Sequence, residues 1–162
     1  MAAEIGKAFR MRVLGCDLRP FSIPGVEQVD FDTLLAESDA ITIHIHLTPE
    51  NLRLFDADVF SRMKDGASLI NTSRGDVIDE EALIGALESG KLYSFGADVI
   101  HNEWRKDMRE SPLVQYAMDH ENVIILPHMG GGRNQTTEAR AFSARKLVQY
   151  LESGEELTWP RG

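Results

Sequence analysis

Short apolar runs rich in Ile, Val and Leu alternate with helical segments along this chain, and that alternation limits the folds open to it more than any other feature. Residues 2–9 read as a helix with Ile5 and Phe9 on one face, and they lead into an apolar run over 11–16. Two prolines, Pro20 and Pro24, mark a loop, after which 26–29 reads as a short extended piece. Asp32 is expected to N-cap a short helix through Leu34 and Leu35. The run Ile41-Thr-Ile-His-Ile-His46 alternates as a strand does, with Ile41, Ile43 and Ile45 on one face and Thr42, His44 and His46 on the other. Helices are then expected over 56–63, 79–88 (closed by Gly90), 112–118 and 135–151, with strands over 67–71, 92–99 and 123–126. Strands that alternate with helices pair in parallel, because a parallel connection needs a crossover long enough to hold a helix. The expected fold is therefore α/β, a doubly wound parallel sheet whose strands are buried on both faces.

The 162 residues suffice for one domain with a sizeable core, and 43% hydrophobic against 27% charged residues is the balance of a chain that folds. The formal net charge of −9 repels phosphate backbones and anionic lipid, so nucleic acid is not an expected partner. The single cysteine, Cys16, cannot form an internal disulfide, and Asp17 beside it disfavours a thiolate. No apolar run reaches the ~18 residues of a membrane span, and no signal-peptide pattern opens the chain. A soluble, cytoplasmic protein without a membrane partner is expected.

In open parallel sheets ligands bind at the carboxyl ends of the strands, and the unusual residues of this chain fall in those loops. Asp17 ends the first apolar run, where a carboxylate can accept hydrogen bonds from ribose hydroxyls and repel a 2′-phosphate; it equally suits the start of a turn. Arg74, in Asn71-Thr-Ser-Arg-Gly-Asp76, offers a planar fork for a carboxylate, or is a surface arginine. His128 precedes Gly130, Gly131 and Gly132, so a ligand can approach the backbone closely beside an imidazole able to exchange protons near neutral pH. Glu103, in the preceding loop, is the carboxylate placed to orient that ring. His44 and His46 have the His-x-His spacing of a metal hydrolase site, but the third and fourth ligands such a site needs are assigned to other roles, and no metal is expected.

Four segments, in order, resemble the D-isomer-specific 2-hydroxyacid dehydrogenases. They are His44-Ile-His-Leu-Thr-Pro-Glu50; Met63-Lys-Asp-Gly-Ala-Ser-Leu-Ile-Asn-Thr-Ser-Arg-Gly-Asp-Val-Ile-Asp-Glu-Glu-Ala-Leu83; Gly96-Ala-Asp-Val99 with Glu103; and Leu126-Pro-His-Met-Gly-Gly131. The resemblance implies a Rossmann-like nucleotide-binding domain, NAD as cofactor, and hydride transfer to or from a small 2-hydroxy or 2-keto acid. It implies that Arg74 binds the substrate's carboxylate and carbonyl, that His128 exchanges the hydroxyl proton, and that Glu103 pairs with His128. The cofactor would meet Asp17, His44, Thr48, Thr72, Ser73, Arg74, Asp98, His128 and Gly130. Such enzymes usually dimerise through this domain, so a homodimer is expected.

The sequence departs from the family at His46 and Trp104, where proline is usual. It also lacks the first strand and its G-x-G-x-x-G turn, on which a pyrophosphate normally sits, and the substrate domain. Gly130 to Gly132 do not replace that turn, since no helix follows at the right spacing. The chain thus reads over 1–162 as a single, incomplete dinucleotide-binding domain. It is either the catalytic half of a dehydrogenase or a catalytically incompetent remnant serving as a binding or interaction module. The missing central strand would leave the runs 11–16 and 41–45 with open edges about 9.6 Å apart, two strand spacings. The first run is expected to move in and pair with the second, unless another copy of the chain completes it.

Overall fold

The computed structural model describes residues 2–104 and 106–130. The chain divides into two compact units, 1–126 and 127–162; the helix expected over 135–151 and the glycines Gly131 and Gly132 lie outside the described residues.

The first unit opens with α1 (Ala2–Ala8) and continues through β1 (Leu14–Gly15), β2 (Glu27–Gln28), α2 (Phe31–Glu37) and β3 (Ala40–Ile43). It goes on through α3 (Ala57–Arg62), β4 (Ala67–Asn71), α4 (Glu80–Glu88), β5 (Leu92–Ala97), α5 (Pro112–Asp119) and β6 (Val123–Ile125). β3, β4, β5 and β6 form a parallel sheet in chain order, with Ala40 opposite Ser68, Leu69 opposite Phe95, and Phe95 opposite Val123. A helix follows β3, β4 and β5 in turn, as the alternating pattern requires. Carboxylates start the first two of these helices, α3 and α4: Asp56 Oδ1 accepts the Val59 N–H at 2.9 Å, and Asp79 Oδ1 accepts those of Glu81 and Ala82 at 3.1 and 3.2 Å. α2 is capped by Asp30, whose Oδ1 accepts the Thr33 N–H at 2.7 Å. The expected cap, Asp32, lies in the first turn and pairs instead with Arg62.

One face of this sheet carries the core. Ile41, Ile43, Leu69, Phe95 and Val123 are buried against Leu35 of α2, Val59 and Phe60 of α3, Leu83 and Leu87 of α4, and Leu113 of α5. Phe55 joins Phe31 edge-on at 5.9 Å and meets Phe60 at 6.4 Å, filling the space between α2 and α3. The expectation of strands buried on both faces fails among the described residues. β3 reads exposed, buried, exposed, buried; Ile70 is only half-buried, and Ile124 is 65% exposed. The elements α2 to α5 supply their apolar stripes to one side only.

β1 and β2 form a separate parallel pair, Leu14 opposite Glu27 and Gly15 opposite Gln28. The expected shift of the first strand onto β3 does not occur, because β1 is held elsewhere. Arg12, just before it, reaches Glu27 of β2 at 2.9 Å and Glu37 of α2 at 2.6 Å. The Val13 carbonyl accepts the Glu27 N–H at 2.9 Å, and the Gly15 carbonyl accepts that of Val29 at 3.0 Å. α1 buries none of its residues; Ile5 is 55% exposed, and Phe9, just past the helix, 75%.

Candidate active site

Parallel strands carry their loops to a common end, and three such loops, after β3, β4 and β5, hold most of the expected site residues. Asn71, the last residue of β4, organises the middle loop and is fully buried. Its Oδ1 accepts the Ser73 N–H at 3.0 Å and the Ser73 hydroxyl at 2.9 Å, while its Nδ2 donates to the Arg74 carbonyl at 2.9 Å. The Asn71 backbone carbonyl accepts the Asp98 N–H at 3.0 Å, so the same residue ties the β5 loop to the β4 loop. A buried amide with its acceptor and a donor satisfied locks loop geometry. Asn71 was not among the residues expected from sequence; the only signal it gave was a polar residue closing an apolar run.

Arg74 is exposed and extended at the edge of this network, and its Nη1 donates to the Ser73 carbonyl at 2.7 Å. It forms no salt bridge among the described residues, so its charge is not neutralised there by a carboxylate. An exposed guanidinium with its backbone held is suited to an incoming carboxylate.

His44 lies just past β3 and bridges two loops: Nε2 is 3.0 Å from the Thr42 hydroxyl and Nδ1 is 3.4 Å from the Thr72 hydroxyl. Because β3 ends at Ile43, His44 and His46 leave the strand and no longer share a strand face. Among the described residues no group of three or more His, Cys, Asp or Glu could hold a metal ion. Thr48 serves its own loop: its N–H donates to Asn51 Oδ1 at 2.8 Å, and its hydroxyl holds the Glu50 carboxyl below the usual range. Ser73 and Asp98 are both 8% exposed, Thr72 is exposed, and Glu103 is half-buried in the loop after β5.

Asp17 is exposed beyond β1, where its Oδ1 accepts the Arg19 N–H at 2.9 Å. The turn role foreseen for it is therefore present, and the carboxylate still stands at a strand end. His128 and Gly130 belong to the second unit, and His128 adopts a left-handed backbone, φ 51°, which side chains adopt at a cost.

A parallel sheet whose carboxyl ends carry an arginine loop, a histidine-threonine bridge and acidic strand ends defines a class: the Rossmann-like nucleotide-binding domain. A family model described as "D-isomer specific 2-hydroxyacid dehydrogenase, NAD binding domain" matches residues 1–130, and the chain belongs to that family. It is 47% identical to a D-lactate dehydrogenase of Escherichia coli, over 94% of this chain and 49% of that protein. It is 37% identical to a hydroxypyruvate reductase of Thermotoga maritima, over 92% of this chain and 47% of that one. Among solved structures, D-2-hydroxyisocaproate dehydrogenase superposes with a TM-score of 0.86 at 29% identity, covering 99% of this chain and 52% of its own. D-lactate dehydrogenase from Aquifex aeolicus, solved with NAD and lactic acid, gives 0.85 at 32% identity, over 94% and 49%. The chain thus spans about half the length of these relatives. NAD is the cofactor of this family. The exposed carboxylate of Asp17 fits its ribose better than a 2′-phosphate, and the polar strand ends from His44 to Asp98 fit the remainder.

Proposed function

We propose that this chain supplies the nucleotide-binding half of an NAD-dependent oxidoreductase acting on the CH–OH group of D-2-hydroxy acids. The observation that carries the reading is Arg74, exposed and without a carboxylate partner among the described residues, on a loop locked by buried Asn71 in a chain of this family. Bound NAD would supply the hydride acceptor. Arg74 holds the substrate's carboxylate and carbonyl through paired N–H donors, and His128 takes the hydroxyl proton as the 2-oxo acid forms. The family resemblance gives Glu103 the role of orienting the His128 ring. Asp17 binds the adenosine ribose, and His44, Thr48, Thr72, Ser73, Asp98 and Gly130 line the rest of the cofactor.

The partners in this reading are the 2-hydroxy or 2-keto acid and a second copy of the chain in a homodimer. The edges of β1 and β3 that pair with no strand among the described residues support the dimer, since unpaired backbone groups favour completion by another strand. A reducing, cytoplasmic setting is supported by the lone free Cys16; among the described residues no helix is long and apolar enough to cross a membrane. The same split between β1 and β3 favours a second reading, a catalytically incompetent module that keeps the fold and binds without turnover.

NADH titration followed by oxidation of NADH with short 2-oxo acids separates the two. The oxidoreductase reading expects turnover that His128→Ala lowers by about 10²–10⁴-fold. Arg74→Ala, which removes two charged hydrogen bonds worth roughly 1.5–3 kcal/mol each, should raise KM by about 100-fold or more. NADH binding without turnover would leave the module, and retention of most of the rate by either variant would overturn the assigned roles.

A further inference from the structure

The loop carrying Arg74 and the loop carrying Glu103 meet, backbone to backbone, at one glycine. A Cβ placed on Gly75 would lie 2.0 Å from the carbonyl carbon of Ile100 and 2.3 Å from the amide nitrogen of His101. Carbon atoms in contact settle near ~3.5–4.0 Å, so only a residue without a side chain permits this approach. Two side chains then fasten His101 in place. Glu80, the first residue of α4, accepts the His101 N–H at 2.8 Å, and Asp76 Oδ1 pairs with His101 Nδ1. Asp76 stands two residues after Arg74, and His101 two residues before Glu103. An ionised carboxylate only accepts hydrogen bonds, so Nδ1 carries the proton in this pair and the ring's tautomer is set.

The side chains of His101 and Asp76 are 50% and 37% exposed, and ion pairs this open to water contribute little to global stability. A weak tie at the junction of two loops acts on their relative placement. We propose that His101 is a positioning residue, clamping the Glu103 loop onto the Arg74 loop through Asp76 and Glu80. Its kinetic consequence rests on the function proposed above, whereas the clamp is a property of the chain alone.

The test compares the full chain with His101→Ala, Asp76→Ala and His101→Asn, whose amide nitrogen takes the place of Nδ1. Amide hydrogen exchange without ligand should quicken about tenfold over 74–77 and 98–103 in His101→Ala and return close to the original in His101→Asn, with Tm moving only a few degrees. Nitrogen-15 spectra of the His101 ring should show Nδ1 protonated in the original chain and lose that preference in Asp76→Ala. With NADH and a 2-oxo acid, His101→Ala should raise KM about tenfold at unchanged NADH affinity, and His101→Asn should restore it. Unchanged exchange over 74–77 in His101→Ala, or a ring with Nδ1 unprotonated, would overturn the clamp. Absence of turnover in the original chain would overturn the proposed function instead, and the exchange and ring measurements would still decide the clamp.

Discussion

Cys16 follows β1 directly and is exposed, yet partial desolvation raises its thiol above the ordinary range, with the carboxylates of Asp17 and Asp30 adding to the effect. The thiolate is the nucleophile, so at pH 7 Cys16 should react with iodoacetamide more slowly than a cysteine in an unstructured peptide. Asp17→Asn should speed the reaction modestly; a rate above the peptide's would refute the account. Part of this was legible in the sequence, since Asp17 is the next residue. The partial desolvation and the approach of Asp30 depend on the fold around β1 and β2. Arg74 is similar: its place after an apolar run marked it as a candidate, but the buried amide of Asn71 that holds its loop became visible only once β4 was packed against β3 and β5.

At the scale of elements, α2 offers a pH test. The Asp30 carboxyl is held below its ordinary value, first by the Thr33 N–H and then by the Thr33 hydroxyl. A carboxyl whose folded value is lowered contributes stability that is fully present above its unfolded value and is lost as pH falls through the folded one. The contribution of Asp30 should therefore be constant at neutral pH, shrink as pH falls below about 3.8, and vanish below its lowered value. Asp30→Asn keeps an acceptor that does not titrate, so urea midpoints of the two proteins should converge across that acid window. Parallel curves there would show that the cap does not depend on charge. The helix itself was readable from Leu34 and Leu35. The choice of Asp30 over Asp32 was not, because both are good caps and the choice follows from where β2 delivers the chain. β4 was read with its ends correct from the apolar run over 67–71; that one face is sealed and the other half-open came from the packing.

For the whole molecule, the sheet β3–β4–β5–β6 with its helices is the cooperative core, and Leu69 sits at its centre with no exposed surface. Leu69→Ala should cost about 2–5 kcal/mol of unfolding free energy, measured by urea denaturation. A loss under about 1 kcal/mol would mean the site collapses around the smaller side chain. Among the described residues no strand pairs with the outer edge of β1 or of β3, and the proposed dimer makes the fate of those edges measurable. If copies complete one another there, sedimentation should show a dimer, and β3 amides not bonded to β4 should exchange more slowly as concentration rises. A monomer at all concentrations, with fast exchange on both edges, would sink that proposal.

By itself, the order of apolar runs and helical segments determined a parallel α/β sheet, and the four colinear motifs determined the family. Both signals are local: side-chain periodicity follows from backbone geometry, and each motif is a short run at a strand end. Tertiary structure decided which face of the sheet is covered, that β1 stays with β2 through Arg12 and Glu27, and that Gly75 brings two loops together against Ile100 and His101. Those outcomes depend on contacts between residues far apart in the chain, whose register and approach no local pattern encodes.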